Sequence, residues 1–145
     1  MTAASEQNII TFLNQQQAQL DALLLLLQQE LAALSGRDIE QLDLLTHQKT
    51  TLLAQIQATD QALSQQTNLV DNVDTAWFKE SVSSLESLLE QCKAQTQVNQ
   101  QVLDHSQLTL TRLKNELLSA KGKSGLTYTN KGKPAVDSKG SGIKA

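Results

Sequence analysis

Apolar residues in the first third of the chain recur in alternating steps of three and four. Seven of the eight positions on this spacing from Ile10 to Leu34 are apolar. A 3.5-residue period is typical of a helix that packs lengthwise against another helix. Ser5, followed by the acidic Glu6, is a suitable residue to begin it. The pattern predicts a first helix over about residues 5–34.

A short polar break, "SGRD", separates this segment from a second one with the same stepping. Gly36 can adopt the left-handed conformation that ends a helix, and Asp38 can cap the next one. Lys49 and Thr59 interrupt the second apolar stripe, which predicts a weaker seam over residues 38–64. The short link favours an antiparallel hairpin over a kink in one long rod, although both arrangements satisfy the pattern.

The longest register in the chain follows a second polar turn and predicts a third helix over residues 75–120. Nine of its twelve seam positions are apolar. Thr96, Asn99 and Ser106 split the seam into two blocks. A polar residue on a seam costs stability, and it commonly fixes a register or marks a place where a partner exchanges contacts. The twelve positions are Phe78, Val82, Leu85, Leu89, Cys92, Thr96, Asn99, Leu103, Ser106, Leu110, Leu113 and Leu117.

These segments predict an all-α fold, an elongated antiparallel helical hairpin or three-helix coiled-coil-like bundle with a long last helix. Residues 1–120 form the predicted helical domain. Residues 121–145 contain the only tyrosine, Tyr128, the only proline and five of the six glycines. This composition predicts a flexible tail, disordered in isolation, that begins where the helix signals stop at Gly122.

Charge follows the same division. Residues 1–120 hold six Lys or Arg and fourteen Asp or Glu, a net charge of −8, whereas residues 121–145 hold six Lys and one Asp, a net charge of +5. Because the helical part has no basic face and the tail has no arginine, the charge pattern argues against nucleic-acid binding. A solvated basic terminus is the simpler interpretation.

Few residues of the chain are candidates for catalysis or for binding a metal or a small molecule. Aromatic residues make up 3% of the chain, which disfavours an enclosed small-molecule site. His47 and His105 lie on different predicted helices without metal-ligand spacing, so we expect no metal, no cofactor and no enzymatic activity. Cys92 is the only cysteine, which excludes an internal disulfide. With no signal peptide and no apolar run near the roughly 20 residues that span a membrane, the chain is expected to be cytoplasmic.

The predicted helices carry more apolar residues than a single packed face of each helix requires. Leu25 and Leu26 point away from the seam of the first helix, and Val102, Leu108 and Leu118 lie outside the seam of the third. This surplus fits either a stripe that receives a partner's helix, which we favour, or the core of a self-associating bundle. Trp77 adjoins Phe78, so we expect only one of the two rings to face the core, with the tryptophan on a flank as a turn anchor or partner contact.

The order of these features resembles the FlgN family of flagellar type III export chaperones. The leucine-rich first helix is followed by "LSGRDIEQLDLLTHQKTTLLAQI", similar to the family's small turn, acidic start and lysine before a Leu-Leu pair. "QVNQQVL" is similar to the asparagine-containing stretch of the family's last helix, and "GLTYTNKGK" to its tyrosine a few residues before a glycine. The family commonly has an acidic residue after this tyrosine, whereas this chain has Thr129.

The resemblance implies a chaperone that binds the hook–filament junction subunits FlgK and FlgL, prevents their premature assembly and delivers them to the export-gate protein FlhA. It places cargo binding on the amphipathic last helix and gate docking at Tyr128. The site residues then carried onto this sequence for cargo binding are Asn99, Val102, Leu103, Leu110, Leu113, Leu117 and Leu118.

Two other functions account for parts of the pattern. A structural coiled-coil protein that forms a homo-oligomer explains the heptads equally well but gives Tyr128 no role. Nucleic-acid binding by the lysine-rich tail would require salt-sensitive binding and is the weakest of the three. The sequence leaves open whether the free chain is a monomer or a homodimer.

Overall fold

The computed structural model describes the backbone of residues 2–132 and the side chains of residues 4–121. All regular elements in this part of the chain are α-helices, which confirms the all-α prediction. They are α1 (Thr2–Gly36), α2 (Ile39–Ser64), α3 (Leu69–Asn72) and α4 (Ala76–Gly132). The sequence did not predict α3, because four residues are too few to show a helical period.

A tight turn joins α1 to α2. The backbone N–H of Asp38 donates to the carbonyl of Ala33 and that of Arg37 to the carbonyl of Leu34, the pair of bonds that closes a Schellman motif. The left-handed residue is Arg37, with φ of 55°. The prediction that Gly36 would take this conformation is therefore wrong, because α1 continues through the glycine. Asp38 caps α2 as predicted, accepting from the Gln41 backbone N–H.

Three polar contacts show that α1 and α2 are antiparallel. Gln16 pairs with Asp60, Gln19 with Thr59, and Glu30 with Lys49. As the residue numbers rise along α1, those of the partners fall along α2. This order is that of a hairpin and excludes the kinked rod. It also explains the two polar breaks in the second seam, since Lys49 and Thr59 both contact polar side chains of α1.

The first part of α4 packs beside α1 with the chain running in the same direction. Cys92 contacts the Leu20 carbonyl and Asn99 the Leu27 carbonyl, a constant offset along both helices. Leu85 and Leu88 complete this packing, whereas Leu89 is exposed. The prediction that Leu89 lies on the seam is therefore wrong. The packed face keeps the seven-residue spacing through Leu85, Cys92 and Asn99, but Leu88 rather than Leu89 packs beside it.

An aromatic pair closes the end of the core formed by α1, α2 and the start of α4. Trp77 and Phe78 are both half-buried, with ring centroids 6.0 Å apart in an edge-to-face arrangement. Both rings pack against the cluster of Ile9, Leu13 and Leu63. The expectation that only one ring would face the core is therefore wrong. Helix α4 begins at Ala76, so both aromatic residues lie in its first turn.

The chain divides into two compact units, Met1–Leu103 and Asp104–Ala145. Helix α4 extends to Gly132, beyond the predicted end at residue 120. A glycine weakens a helix by about 1 kcal/mol without ending it, so Gly122 does not stop α4. The remainder of the predicted tail, residues 133–145, lies outside the described residues.

Candidate functional site

Four exposed leucines lie close together on α4 in the second unit. Leu110, Leu113 and Leu117 are spaced by three and four residues, which places them on one face of a helix, and Leu118 flanks them. We call these four residues the leucine stripe. Their exposed fractions are 55% for Leu110, 50% for Leu113, 62% for Leu117 and 46% for Leu118. Apolar side chains this exposed and this clustered are typical of a surface that binds another protein.

Leu108 is also exposed but does not belong to the leucine stripe. It lies two residues before Leu110, which is about 200° around the helix. Between the leucines the helix carries exposed charged residues of both signs, Arg112, Lys114 and Glu116. The segment is therefore amphipathic, with Leu110, Leu113 and Leu117 on one face and Lys114 between that face and Leu118.

Val102 and Leu103, the two other apolar residues predicted to bind cargo, belong to the first unit and are half-buried. Asn99 differs from the rest of the predicted set because it is only 4% exposed. Its amide nitrogen donates to the Leu27 carbonyl and to Glu30 Oε1, both at 2.8 Å. Its amide oxygen accepts from Gln95 Nε2 at 3.0 Å. A side chain with these internal partners holds α4 against α1.

Glu30 connects all three long helices. One carboxylate oxygen accepts from Asn99 on α4, and the other forms a 2.9 Å ion pair with Lys49 on α2. The Glu30 side chain is 16% exposed, so water screens the pair only partly. The sequence signalled Asn99 and Lys49 as polar interruptions of apolar seams but gave no sign of Glu30. Glutamate is common on helix surfaces, so the sequence does not single out Glu30. Only the folded chain shows that Glu30 contacts both Asn99 and Lys49.

We expect Asn99→Ala to lower the free energy of unfolding by about 1–3 kcal/mol, because it leaves a half-buried carboxylate oxygen and a buried carbonyl without this donor. Urea unfolding followed by circular dichroism at 222 nm measures the change. Gln97→Ala, an exposed change on the same helix, is the matched control and should stay within about 0.5 kcal/mol of the original chain. Equal stability of the two variants would contradict the role given to Asn99.

Cys92 is a buried, free cysteine whose thiol donates to the Leu20 carbonyl at 3.7 Å. Burial, and to a smaller extent the negative charge of Asp21, raise the pKa of this thiol above its ordinary value of 9.0. A protonated, buried thiol behaves as a small apolar side chain rather than as a nucleophile. The geometry therefore agrees with the core position predicted for Cys92.

The raised pKa of Cys92 has a consequence for stability at high pH. The folded chain holds the thiol proton more tightly than the unfolded chain, so the contribution is complete below pH 9.0 and is lost as the pH rises from 9.0 towards the folded pKa. We expect the urea midpoint of the original chain to fall more steeply above pH 9 than that of Cys92→Ala. Parallel curves for the two proteins would show that this thiol does not contribute.

Three further predictions concern metal binding, membrane spanning and the position of Tyr128. Within the described residues, no group of three or more His, Cys, Asp or Glu side chains is arranged to hold a metal ion. In the same part of the chain, no helix combines the length and apolar character needed to cross a membrane. Tyr128, the predicted gate-docking residue, lies on the helical backbone of α4 but outside the described side chains.

The described residues form an all-α protein with exposed leucines on its last helix. A family model described as "FlgN protein" matches residues 1–135, nearly the whole chain. The chain therefore belongs to the FlgN family, the family of flagellar export chaperones. No curated protein and no solved structure gives a match.

Proposed function

We propose that this chain binds the hook–filament junction subunits FlgK and FlgL, prevents their premature assembly and delivers them to the export-gate protein FlhA. The observation that carries the proposal is the leucine stripe on α4, in a chain of the FlgN family. A subunit segment that is unfolded before assembly can form an amphipathic helix on this stripe and cover its leucines. The proposed cargo site comprises the leucine stripe with Val102 and Leu103, and it omits the buried Asn99.

The energetics indicate how strong such binding can be. Complete burial of a leucine side chain contributes about 1.5–3 kcal/mol. Covering the exposed halves of four leucines therefore contributes about 4 kcal/mol in total, which corresponds to a dissociation constant of about 1 mM. Ordering of the cargo segment lowers this gain further. A complex that survives until export therefore needs contacts in addition to the leucine stripe.

Titration calorimetry of the full-length chain with purified FlgK and with purified FlgL tests the proposal. We expect saturable binding of at least one subunit with a negative heat-capacity change, because apolar surface is buried. Light scattering of the free chain at several concentrations tests the competing structural function. A stable oligomer that binds neither subunit would contradict the chaperone function and support a homo-oligomeric coiled coil.

A further inference from the structure

Three polar side chains from three helices meet at one level of the first unit. Glu30 of α1 accepts from Asn99 of α4 at 2.8 Å and from Lys49 of α2 at 2.9 Å. The Asn99 amide also donates to the Leu27 carbonyl and accepts from Gln95, so both of its polar atoms have partners. We call Glu30, Lys49 and Asn99 the polar layer. The layer is complete only when all three helices lie at the right level along one another.

The level seven residues earlier on α1 and α4 is apolar. Cys92 lies seven residues before Asn99 on α4. It contacts the Leu20 carbonyl, whereas Asn99 contacts the Leu27 carbonyl, so α4 keeps a constant offset of 72 residues along α1. The polar layer therefore follows directly on an apolar level in the same register. The buried members of that apolar level are Leu20, Leu23, Leu27 and Cys92.

Apolar packing alone leaves more than one register open to α4. Residues seven apart share a helix face, and the packed face of α4 carries Leu85 and Cys92 at this spacing. A seven-residue shift therefore replaces one apolar side chain by another and moves α4 by about 10 Å along α1. The connection between α2 and α4, residues 65–75, is long enough to permit it, because these residues span roughly 35 Å when extended.

The polar layer discriminates between these registers. A shift in one direction places Cys92 opposite Glu30, and a shift in the other direction places Asn99 in the apolar level. Either shift leaves the amide or the carboxylate without its partner inside the protein. An unpaired buried group lowers the population of that register by roughly ten- to a hundredfold. A polar position within an apolar seam is best known for specifying register in this way.

We propose that the polar layer sets the register of α4 against the hairpin of α1 and α2. Its contribution is a single packing arrangement rather than additional stability. Removing one member destabilises the chain, because the remaining members are left unpaired. Replacing all three members by leucine leaves the helices able to pack but permits a second register, because apolar replacement of a buried ion pair is commonly neutral or stabilising. This role is independent of the partner that the chain binds.

The distance between two spin labels, measured by electron paramagnetic resonance, reports the register in the full-length chain. Ala32→Cys on α1 and Ser84→Cys on α4 carry the labels, and both positions are exposed. The offset of 72 residues places position 84 opposite residue 12, about 30 Å along the helix axis from Ala32. A shift of α4 along α1 therefore changes the distance almost directly. Cys92→Ala removes the native thiol from the labelled chains.

Replacement of the polar layer by three leucines is the first test. We expect one narrow distance peak in the labelled chain and a second peak, displaced by about 10 Å, in the variant with an apolar layer. The control adds the same three leucines at the exposed glutamine directly before each layer residue and should keep the single peak. The layer substitutions are Glu30→Leu, Lys49→Leu and Asn99→Leu, and the control substitutions are Gln29→Leu, Gln48→Leu and Gln97→Leu.

Relocating the amide is the second test, and it decides the question if the variant with an apolar layer does not fold. Cys92→Asn combined with Asn99→Leu moves the amide seven residues earlier. We expect α4 to shift until position 92 lies opposite Glu30, which shortens the label distance by about 10 Å. Circular dichroism checks that each variant is helical. A single unshifted peak in either folded variant would show that the aromatic pair and the turn before α4 set the register, and would overturn the proposal.

Discussion

Replacing Leu110 with aspartate is expected to abolish detectable binding of FlgK and FlgL, and Leu113→Asp should do the same. Each change places a carboxylate in the middle of the apolar face that the cargo segment covers. Burial of an unpaired charge is far more costly than the loss of one leucine contact, so the carboxylate either prevents docking or must take up a proton. We expect the dissociation constant to rise at least a hundredfold in titration calorimetry.

The same substitutions should leave the folded chain nearly unchanged. Both side chains are at least half exposed, and replacing leucine with aspartate on an exposed helix costs about 0.5 kcal/mol. Leu108→Asp is the matched control, because it makes the same change on the opposite side of the same segment. Normal binding by Leu110→Asp and Leu113→Asp, or an equal loss in Leu108→Asp, would show that the leucine stripe is not the cargo site.

Tyr128→Ala is expected to reduce secretion of FlgK and FlgL at least tenfold while leaving their binding to the chain intact. The family resemblance assigns Tyr128 to the export gate, and tyrosine is among the side chains that most often dominate the energy of an interface. It is the only aromatic residue among residues 121–145. The test measures FlgK and FlgL in the culture medium and, separately, capture of both by the purified variant.

Tyr128→Phe separates the two properties of this side chain. If the ring is the anchor, phenylalanine should retain most of the export, whereas an essential hydroxyl group would make it resemble alanine. Secretion at the original rate by Tyr128→Ala would overturn the docking role. Loss of cargo binding together with secretion would place Tyr128 in the cargo site instead.

The helices and the hairpin were predictable because their signals are local. Spacings of three and four mark the buried faces of α1, α2 and α4, and Asp38 caps α2 as its position suggests. Where the prediction failed, a non-local contact decides the result. Leu88 rather than Leu89 packs against the cluster that includes Leu20 of α1, and the sequence of α4 alone does not show which of the two adjacent leucines does so. Arg37 rather than Gly36 becomes left-handed because the turn is set by backbone bonds to Ala33 and Leu34.

The candidate site was predictable to different degrees along its length. The leucine stripe is encoded by its own spacing, because an amphipathic segment shows its apolar face whatever surrounds it. The sequence showed that Asn99 interrupts the apolar seam, but it did not show what the Asn99 side chain contacts. A buried amide that fixes a register and an exposed amide that meets a partner produce the same pattern. Only the position of Glu30, many residues earlier in the chain, distinguishes the two.

The most direct test of the chaperone account is amide hydrogen exchange of the full-length chain, measured by mass spectrometry with and without saturating FlgK or FlgL. Exposed helix that becomes covered and ordered by a partner exchanges more slowly. We predict slower exchange over residues 102–118 on binding, and unchanged exchange over residues 2–20 of α1. Unchanged exchange over residues 104–118 in a saturated complex would contradict the central claim that the leucine stripe holds the cargo.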